Sequence, residues 1–300
     1  MRKTKADQIF DLLNNLIMAL VLFIMVYPLY FTIIASISEP HEVALGNIAL
    51  LPRGLTFEAY TNVFKSEQIW TGYRNSIIYT LFGTIFNLFL TIPAAYVLSK
   101  RDLPGRTAIS GIFLFTMYFG GGLVPSYLLV KDLGLLDKPY TLIILSGISI
   151  YNLVVTRVFY QSSIPDSLYE AASIDGSSEL NAFFMIAIPL SAPIIAVIAL
   201  YYAVSRWNDY FTALVYTSSR EYQPLQLVLR QILILNQQML SKIDFSSDDG
   251  SAAEVAQRMA YMAQAMKYSV ILIASAPMLI MYPFVQKHFV KGVMIGSLKG

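Results

Sequence analysis

Cysteine is absent from this sequence of 300 residues. Its absence excludes a disulfide framework, a thiolate metal site and a cysteine nucleophile. Histidine is nearly absent too, and His41 and His288 lie too far apart in sequence to form a metal-ligand pattern. The formal net charge is only +2, so no basic patch of the kind that binds nucleic acid is indicated. We therefore expect no resident metal and no nucleic-acid partner.

Charge is scarce as well. Only 13% of the residues are charged, against roughly 25% in a typical soluble domain. Six stretches of 18 residues or more contain no Asp, Glu, Lys or Arg, and a helix that crosses a membrane needs about 20 apolar residues. Buried helices of a large soluble protein are the alternative, which six such runs disfavour. We predict a single all-α integral membrane domain with six transmembrane helices, at about 12–38, 75–99, 107–130, 139–157, 182–206 and 266–287.

Basic residues predict how these helices are oriented. They cluster at the N-terminus and in the loop after the second predicted helix, as Arg2, Lys3, Lys5, Lys100, Arg101 and Arg106. These positions share one side of the membrane if the helices alternate, and basic loops favour the cytoplasmic side. We therefore expect both termini and segment 164–181 to be cytoplasmic, and segment 207–265 to lie outside.

Segment 164–181 differs from the apolar runs on either side because it holds four carboxylates. Pro165 suits the first position of a helix, and Asp166 in the first turn complements the helix dipole. Gly176 tolerates the left-handed conformation that ends a helix, and one of the two serines at 177–178 suits the cap of a second helix. The sequence therefore predicts a hairpin of two helices.

The first helix of this hairpin has the features of a docking surface. Ala171 and Ala172 are small and let another backbone approach closely, while the neighbouring Glu170 offers a charge to a basic partner. A hairpin that merely connects two spans is the alternative. A plain connection needs only a few residues, however, and this one uses about twenty.

The same residues carry a family resemblance. The pattern Glu170-Ala171-Ala172, Asp175-Gly176, Ile188-Pro189-Leu190 and Pro193 resembles the cytoplasmic loop of ATP-binding-cassette importer permeases. The segment RWNDYFTALVYTSS at 206–219 and the tail QKHFVKGVMIGSLKG are similar to the carbohydrate-uptake branch, which includes the small maltose permease subunit. Within that branch, the chain looks like permeases that import polysaccharide fragments such as alginate or rhamnogalacturonan oligomers.

The resemblance implies a function and a set of partners. The chain would form half of the translocation path for an oligosaccharide that an extracellular or periplasmic binding protein delivers to the cell membrane. The coupling helix that docks on a cytoplasmic ATPase would comprise Glu170, Ala171, Ala172, Asp175 and Gly176. The expected partners are a second, homologous permease subunit in a heterodimer, two ATPase subunits, the binding protein and membrane lipid.

No G-x-x-x-x-G-K-[ST] sequence occurs in the chain, so it does not bind ATP through a P-loop. We therefore expect a permease subunit without enzymatic activity and without a cofactor of its own. ATP and Mg²⁺ would be held by the partner ATPase.

Polar and aromatic residues in or beside the predicted spans are candidates for the translocation path. We select Tyr151, Asn152, Trp207 and Asn208 for this role. Further polar candidates are Asn87, Arg157, Arg206 and Asp209. The alternative is that such residues only bond a neighbouring helix or mark the membrane interface.

Three consecutive glycines, in the sequence FGGGLVPSY at 119–127, fall inside the third predicted span. They allow either close helix packing or a bend that lines the path, and we favour packing.

Two other classes of function remain as alternatives. An ion-driven secondary transporter usually has internal repeats and carboxylates inside the membrane, and neither is evident. An intramembrane enzyme needs a catalytic group of Ser, His or carboxylate side chains, and the predicted spans contain no such pairing.

Overall fold

The computed structural model describes residues 4–242 and 250–297. Its described residues form helices and no strands. The chain divides into two compact units, one built from Met1–Glu67 and Leu229–Ala276 and the other from Gln68–Val228 and Pro277–Gly300. The basic residues Arg2 and Lys3, and most of the polar SSDDGS run at 246–251, lie outside the described residues.

The helices follow one another in a fixed order along the chain. The first eight are α1 (Lys5–Ser36), α2 (Pro40–Ala44), α3 (Glu58–Phe64), α4 (Glu67–Ser99), α5 (Arg106–Tyr118), α6 (Leu123–Asp132), α7 (Thr141–Ile144) and α8 (Ile150–Ser163). The next are α9 (Asp166–Ile174), α10 (Glu179–Ala182), a π-helical turn (Phe183–Ala187), α11 (Ile188–Leu190) and α12 (Ala192–Asn208). The last are α13 (Phe211–Tyr216), a 3₁₀ turn (Arg220–Tyr222), α14 (Leu225–Lys242) and α15 (Gly250–Ser297).

In the first unit, α1 starts at a capping box. The Thr4 hydroxyl accepts from the backbone N–H of Asp7 at 3.2 Å, and the Asp7 carboxylate accepts from the backbone N–H of Thr4 at 2.9 Å. From Ile9 to Val26 the large apolar side chains of α1 are exposed, as expected of a helix that faces lipid. The core of the unit lies beyond this stretch and contains Ile34, Ala35, Val43, Ile48, Ala59 and Ala265.

A core of the second unit lies at the C-terminal end of α4. There Tyr96 packs in edge or tilted contacts against Tyr160, Tyr169 and Phe183, with ring centroids 5.0 to 5.9 Å apart. Further buried members of this core are Ala95, Leu98, Leu153, Ile164 and Ala187. The core therefore joins α4 to α8 and to the hairpin that follows α8.

Three helical segments among the described residues are long and apolar enough to cross a membrane: Asp7–Ser36, Glu67–Ser99 and Gln257–Ile280. Two bent pairs add to them if each is one span: Arg106–Tyr118 with Leu123–Asp132, and Glu179–Leu190 with Ala192–Asn208. These five overlap five of the six predicted spans. The fourth prediction, 139–157, falls on α7, a non-helical stretch and part of α8, so the count of six stays a prediction.

The glycine run at 120–122 forms a bend, and the packing interpretation is wrong for this chain. Helices α5 and α6 meet there at 112°. A Cβ added at Gly120 or Gly121 would meet nothing within 4 Å, so neither glycine is required by close packing. Gly122 has a φ of +84°, a conformation that side chains disfavour, and this explains a glycine at the break.

Candidate functional site

The hairpin at 164–181 is built as its sequence indicates. Pro165 is the residue immediately before α9 rather than its first residue, and Asp166 lies in the first turn. Gly176 has a φ of +76°, and its N–H donates to the Ser173 carbonyl at 3.0 Å while the Ser177 N–H donates to the Ala172 carbonyl at 2.9 Å. These two bonds form a Schellman motif that ends α9.

The second helix of the hairpin starts at one of the two predicted caps. The Ser178 hydroxyl accepts from the Asn181 N–H at 3.3 Å, and Glu179 occupies the first turn of α10. The chain then passes directly into the π-helical turn and α11, so the hairpin is continuous with the helices leading to α12.

One face of α9 is turned to solvent. Glu170 and Ala171 are exposed, as are Asp175 and Gly176 at its C-terminal end, whereas Ala172 is half-buried. Ile174 lies on the same face as Glu170, four residues later, and is 85% exposed. Glu170, Ala171 and Ile174 therefore share the exposed side of α9.

The opposite face of α9 is held against the end of α4 through Tyr169. The Lys100 ammonium lies 3.8 Å from the centroid of the Tyr169 ring and 4.8 Å from that of Tyr96. The same ammonium lies 3.5 Å from the Glu179 carboxylate, which also accepts a hydrogen bond from the Tyr96 hydroxyl at 3.2 Å. Burial, followed by the charges around it, raises the pKa of the Tyr169 hydroxyl.

Between the hairpin and α12 the helix changes pitch and then turns. Pro189 has no N–H to donate to the carbonyl four residues before it, and the π-helical turn of Phe183–Ala187 lies in the preceding residues. The axis then bends by 78° at Ser191, whose hydroxyl donates to the Ala187 carbonyl at 2.6 Å. Ser191 is buried, and the Tyr160 hydroxyl lies 3.2 Å from that of Ser191.

A second polar region surrounds the break between α7 and α8. Leu145 is extended, Ser146 has a φ of +58°, and helix resumes only at Ile150. Non-helical backbone inside a membrane protein is tolerated where its polar groups find partners within the protein.

Arg206 and Asn87 supply those partners. The Arg206 guanidinium donates to the carbonyls of Leu142 at 2.7 Å, Ile143 at 3.1 Å, Leu145 at 2.7 Å and Ser146 at 3.3 Å. Its Nε donates to the Asn87 side-chain oxygen at 3.0 Å.

The amide of Asn87 then completes the arrangement, because its Nδ2 donates to the carbonyls of Ser146 and Gly147 at 2.7 Å each. Both Asn87 and Arg206 are buried. Asn87 and Arg206, both candidates for the translocation path, therefore hold the non-helical segment between α7 and α8 in place by hydrogen bonds. We call Asn87, Arg206 and the carbonyls of 142–147 the carbonyl knot.

The four selected path residues do not come together. Tyr151 and Asn152 line one cleft of about 630 Å³, together with Tyr201, Tyr202, Ser205 and Asp209. Trp207 is buried and packs near Tyr73, with ring centroids 6.3 Å apart. Asn208 is exposed, and its amide donates to the Val204 carbonyl at 2.9 Å. A path role for any of the four stays a prediction.

The loops near the N-terminal end of α4 are also fastened by polar contacts. The Asn75 amide donates to the carbonyls of Glu221 at 2.7 Å and Gln223 at 3.0 Å, and the Tyr79 hydroxyl donates to the Tyr222 carbonyl at 2.9 Å. Asn75 and Tyr96 are roughly 30 Å apart along α4 at 1.5 Å per residue, close to the thickness of a bilayer core. This spacing supports placing the hairpin and these loops on opposite sides of a membrane.

Asp137 adds a further fastening point in the same loops. Its carboxylate accepts from the backbone N–H groups of Ser218 at 2.9 Å and Ser219 at 2.8 Å, and from the Ser219 hydroxyl at 2.5 Å. The bonds from Ser219 lower the pKa of the Asp137 carboxyl. Segment 216–219 is therefore anchored rather than loose.

No group of three or more His, Asp or Glu side chains is placed to hold a metal ion anywhere in the part of the chain that the structure describes.

Comparison with known proteins finds relatives that are similar to this chain over nearly its whole length. Protein LplC of Bacillus subtilis (strain 168) is 41% identical over 300 residues, covering 100% of this chain and 98% of LplC. The polygalacturonan/rhamnogalacturonan transport system permease protein YtcP of the same organism is 39% identical over 294 residues, covering 98% of this chain and 99% of YtcP.

A solved structure is similar over almost the whole fold. It is a crystal structure of a bacterial ABC transporter involved in the import of the acidic polysaccharide alginate, with a TM-score of 0.84 and 32% identity. The similarity covers 96% of this chain and 99% of that chain. A family profile described as "Binding-protein-dependent transport system inner membrane component" matches residues 69–295. The chain belongs to this family of inner membrane components of binding-protein-dependent transport systems.

Proposed function

We propose that this chain is one transmembrane subunit of an ATP-driven importer that forms half of the translocation path for an oligosaccharide. The observation that carries this proposal is the full-length similarity to YtcP and to the alginate transporter chain. Both names refer to acidic polysaccharides, so the substrate we propose is a polysaccharide fragment such as a uronate oligomer. Ion-driven secondary transport is not favoured, since the family is that of binding-protein-dependent systems.

The assembly we propose contains a second, homologous permease subunit, two ATPase subunits and an extracellular or periplasmic binding protein. ATP and Mg²⁺ belong to the ATPase subunits. The six predicted helices place both termini and the hairpin 164–181 in the cytoplasm. The clustering of Lys100, Arg101 and Arg106 after α4 supports this orientation.

Within that assembly the hairpin is the coupling element. Glu170, Ala171 and Ile174 form the exposed face that docks on an ATPase subunit, and Asp175 with Gly176 ends the docking helix. Ala171 permits close approach, Glu170 meets a basic group and Ile174 enters an apolar recess. Because the hairpin continues through the π-helical turn and α11 into α12, its displacement reaches a spanning segment without passing through a loose loop.

Reversing the charge at Glu170 tests the coupling role. We expect Glu170→Arg to abolish co-purification of the ATPase subunit, or to leave ATP hydrolysis that the loaded binding protein no longer stimulates. The matched control is Asp132→Arg, which reverses an exposed carboxylate at the far end of α6 and leaves both properties unchanged. Wild-type uptake and stimulation in Glu170→Arg would overturn the coupling role.

The substrate class needs its own measurement. Proteoliposomes that contain the whole transporter and its binding protein are supplied with labelled oligogalacturonate, alginate oligomers and a neutral oligosaccharide of equal length. We expect ATP-dependent accumulation of an acidic oligomer. Accumulation of the neutral one alone contradicts the uronate assignment but not the importer function.

A further inference from the structure

We infer that Lys100 is a positioning residue that locks the coupling hairpin to α4, so that movement of the docked hairpin also moves this spanning helix. The inference rests on the proposed function, because it assigns a role within the coupling step. It comes from the cluster of Tyr96, Lys100, Tyr169 and Glu179, which we call the lysine clamp.

The lysine clamp brings three elements to one ammonium group. Tyr96 lies at the C-terminal end of α4, Tyr169 on α9 and Glu179 on α10. The ammonium lies 3.8 Å from the Tyr169 centroid, 4.8 Å from the Tyr96 centroid and 3.5 Å from the Glu179 carboxylate. Both helices of the hairpin are therefore tied to α4 through a single side chain.

The surroundings of Lys100 favour a specific contact over a solvated charge. Its side chain is only 23% exposed, although it lies in a loop and carries a full charge. Two aromatic faces replace much of its hydration, whereas the Glu179 side chain is 80% exposed and stays in contact with water. A cation between aromatic rings gains more as it loses water, so the two rings are the stronger part of this contact. By contrast, the neighbouring pair of Arg101 and Asp166 is 4.0 Å apart, with side chains 85% and 71% exposed. A pair so exposed contributes little to positioning.

The clamp gives the hairpin a second mechanical connection. The first is covalent and runs from α10 through the π-helical turn and α11 to α12. That route contains the 78° bend at Ser191, so a displacement of the hairpin along its own axis is not parallel to the axis of α12. The clamp bypasses this bend and acts directly on α4. Without it, the docked hairpin moves with the ATPase while α4 follows less closely.

The test compares Lys100→Met with Lys100→Arg in the complete transporter reconstituted with its binding protein. Methionine keeps an unbranched apolar stem and removes the charge, whereas arginine keeps a cation able to stack on both rings. We expect Lys100→Met to assemble normally and to hydrolyse ATP, but to consume about fivefold to tenfold more ATP per oligosaccharide transported. Lys100→Arg restores most of the wild-type ratio.

The matched control is Lys131→Met, which removes an exposed lysine from the last turn of α6 and leaves the ratio unchanged. A merely structural role for Lys100 predicts less assembled complex with an unaltered ratio of ATP to oligosaccharide, and that result overturns the inference. If Lys100→Met does not assemble, Tyr169→Leu, which removes one stacking face and keeps the charge, must raise the ratio. An unchanged ratio in that variant contradicts the inference as well.

Failure of this inference and failure of the proposed function are distinguishable. If Glu170→Arg uncouples the transporter and Lys100→Met does not, the hairpin couples without the clamp. If neither variant changes ATPase association or the ratio, the coupling role of the hairpin itself is wrong.

Discussion

The carbonyl knot and the exposed face of α9 are two polar regions of the same compact unit, and they use their polar groups in opposite ways. In the knot, Arg206 and Asn87 are buried and donate to backbone carbonyls of a broken helix. On the hairpin, Glu170 and Ile174 are turned to solvent. The difference teaches that a buried charge inside a transport protein can serve its own backbone, and Arg206 does so at the edge of the cleft that Tyr151 and Asn152 line. Arg206 stabilises irregular backbone here, whereas the residues that we assign to coupling lie on the exposed surface of the hairpin.

Replacing Arg206 should have the largest effect on the permease itself. Arg206→Met removes the donors to four carbonyls, of which that of Leu142 is buried and the other three are partly buried, and this costs about 3 kcal/mol or more. We expect a large fall in the temperature at which the purified subunit unfolds or aggregates, and little folded protein in the membrane.

Lysine at position 206 serves as the control, because it keeps the charge but not the planar fork of donors. Its unfolding temperature should fall between those of wild type and Arg206→Met. Wild-type stability in Arg206→Met would show that the carbonyls find other partners and that the knot is dispensable.

An intermediate effect is expected at Gly83, which lies against the knot on α4. A Cβ there would lie 3.0 Å from Arg206 Nε and 3.2 Å from its Cδ, and the guanidinium is too firmly bonded to move away. Gly83→Ala should therefore destabilise the subunit by roughly 1–3 kcal/mol.

Gly111→Ala on α5 is the matched control, since a Cβ there meets nothing within 4 Å. It should be neutral or slightly stabilising, because alanine favours a helix more than glycine does. Equal unfolding temperatures for the two alanine variants would contradict the packing of Arg206 against Gly83.

The smallest effect on the permease itself is expected at Ile174. Ile174→Ser removes an aliphatic side chain that is already 85% exposed, so the thermal stability of the isolated subunit should not change measurably. Its affinity for the ATPase subunit should fall roughly 10-fold to 150-fold, since burial of an isoleucine at an interface contributes about 1.5–3 kcal/mol. Titration of the ATPase into the detergent-solubilised permease measures this affinity. A variant that unfolds at a lower temperature but binds the ATPase subunit with wild-type affinity would contradict the assignment of Ile174 to the docking face.

Sequence reasoning predicted the hairpin better than the knot, for a physical reason. Helix ends depend on a few neighbouring residues, so the stop at Gly176 and a cap at Ser177 or Ser178 could be predicted locally, and the structure places the cap at Ser178. The break at 145–149 depends on Arg206, which lies about sixty residues away in the sequence. The hydropathy of the segment shows only that it is apolar and not that its helix is broken. The buried arginine within a predicted span was the available signal, but it pointed equally to a substrate contact.

The bend at 119–122 shows the same limit. Three consecutive glycines indicate either close packing or a turn, and only the surroundings of each Cα position decide between them. The structure leaves open space at Gly120 and Gly121 and a positive φ at Gly122. The sequence thus located the irregularity without identifying its kind.

Site-specific cross-linking from the hairpin tests the central claim most directly, because this chain has no cysteine of its own and an introduced cysteine is its single labelling site. A cysteine at Ala171, labelled with a photoactivatable maleimide in the assembled transporter, should yield a covalent adduct with the ATPase subunit. A cysteine at Ser218, in the loop fastened by Asp137, should yield none. An ATPase adduct from position 218 and none from position 171 would contradict the account.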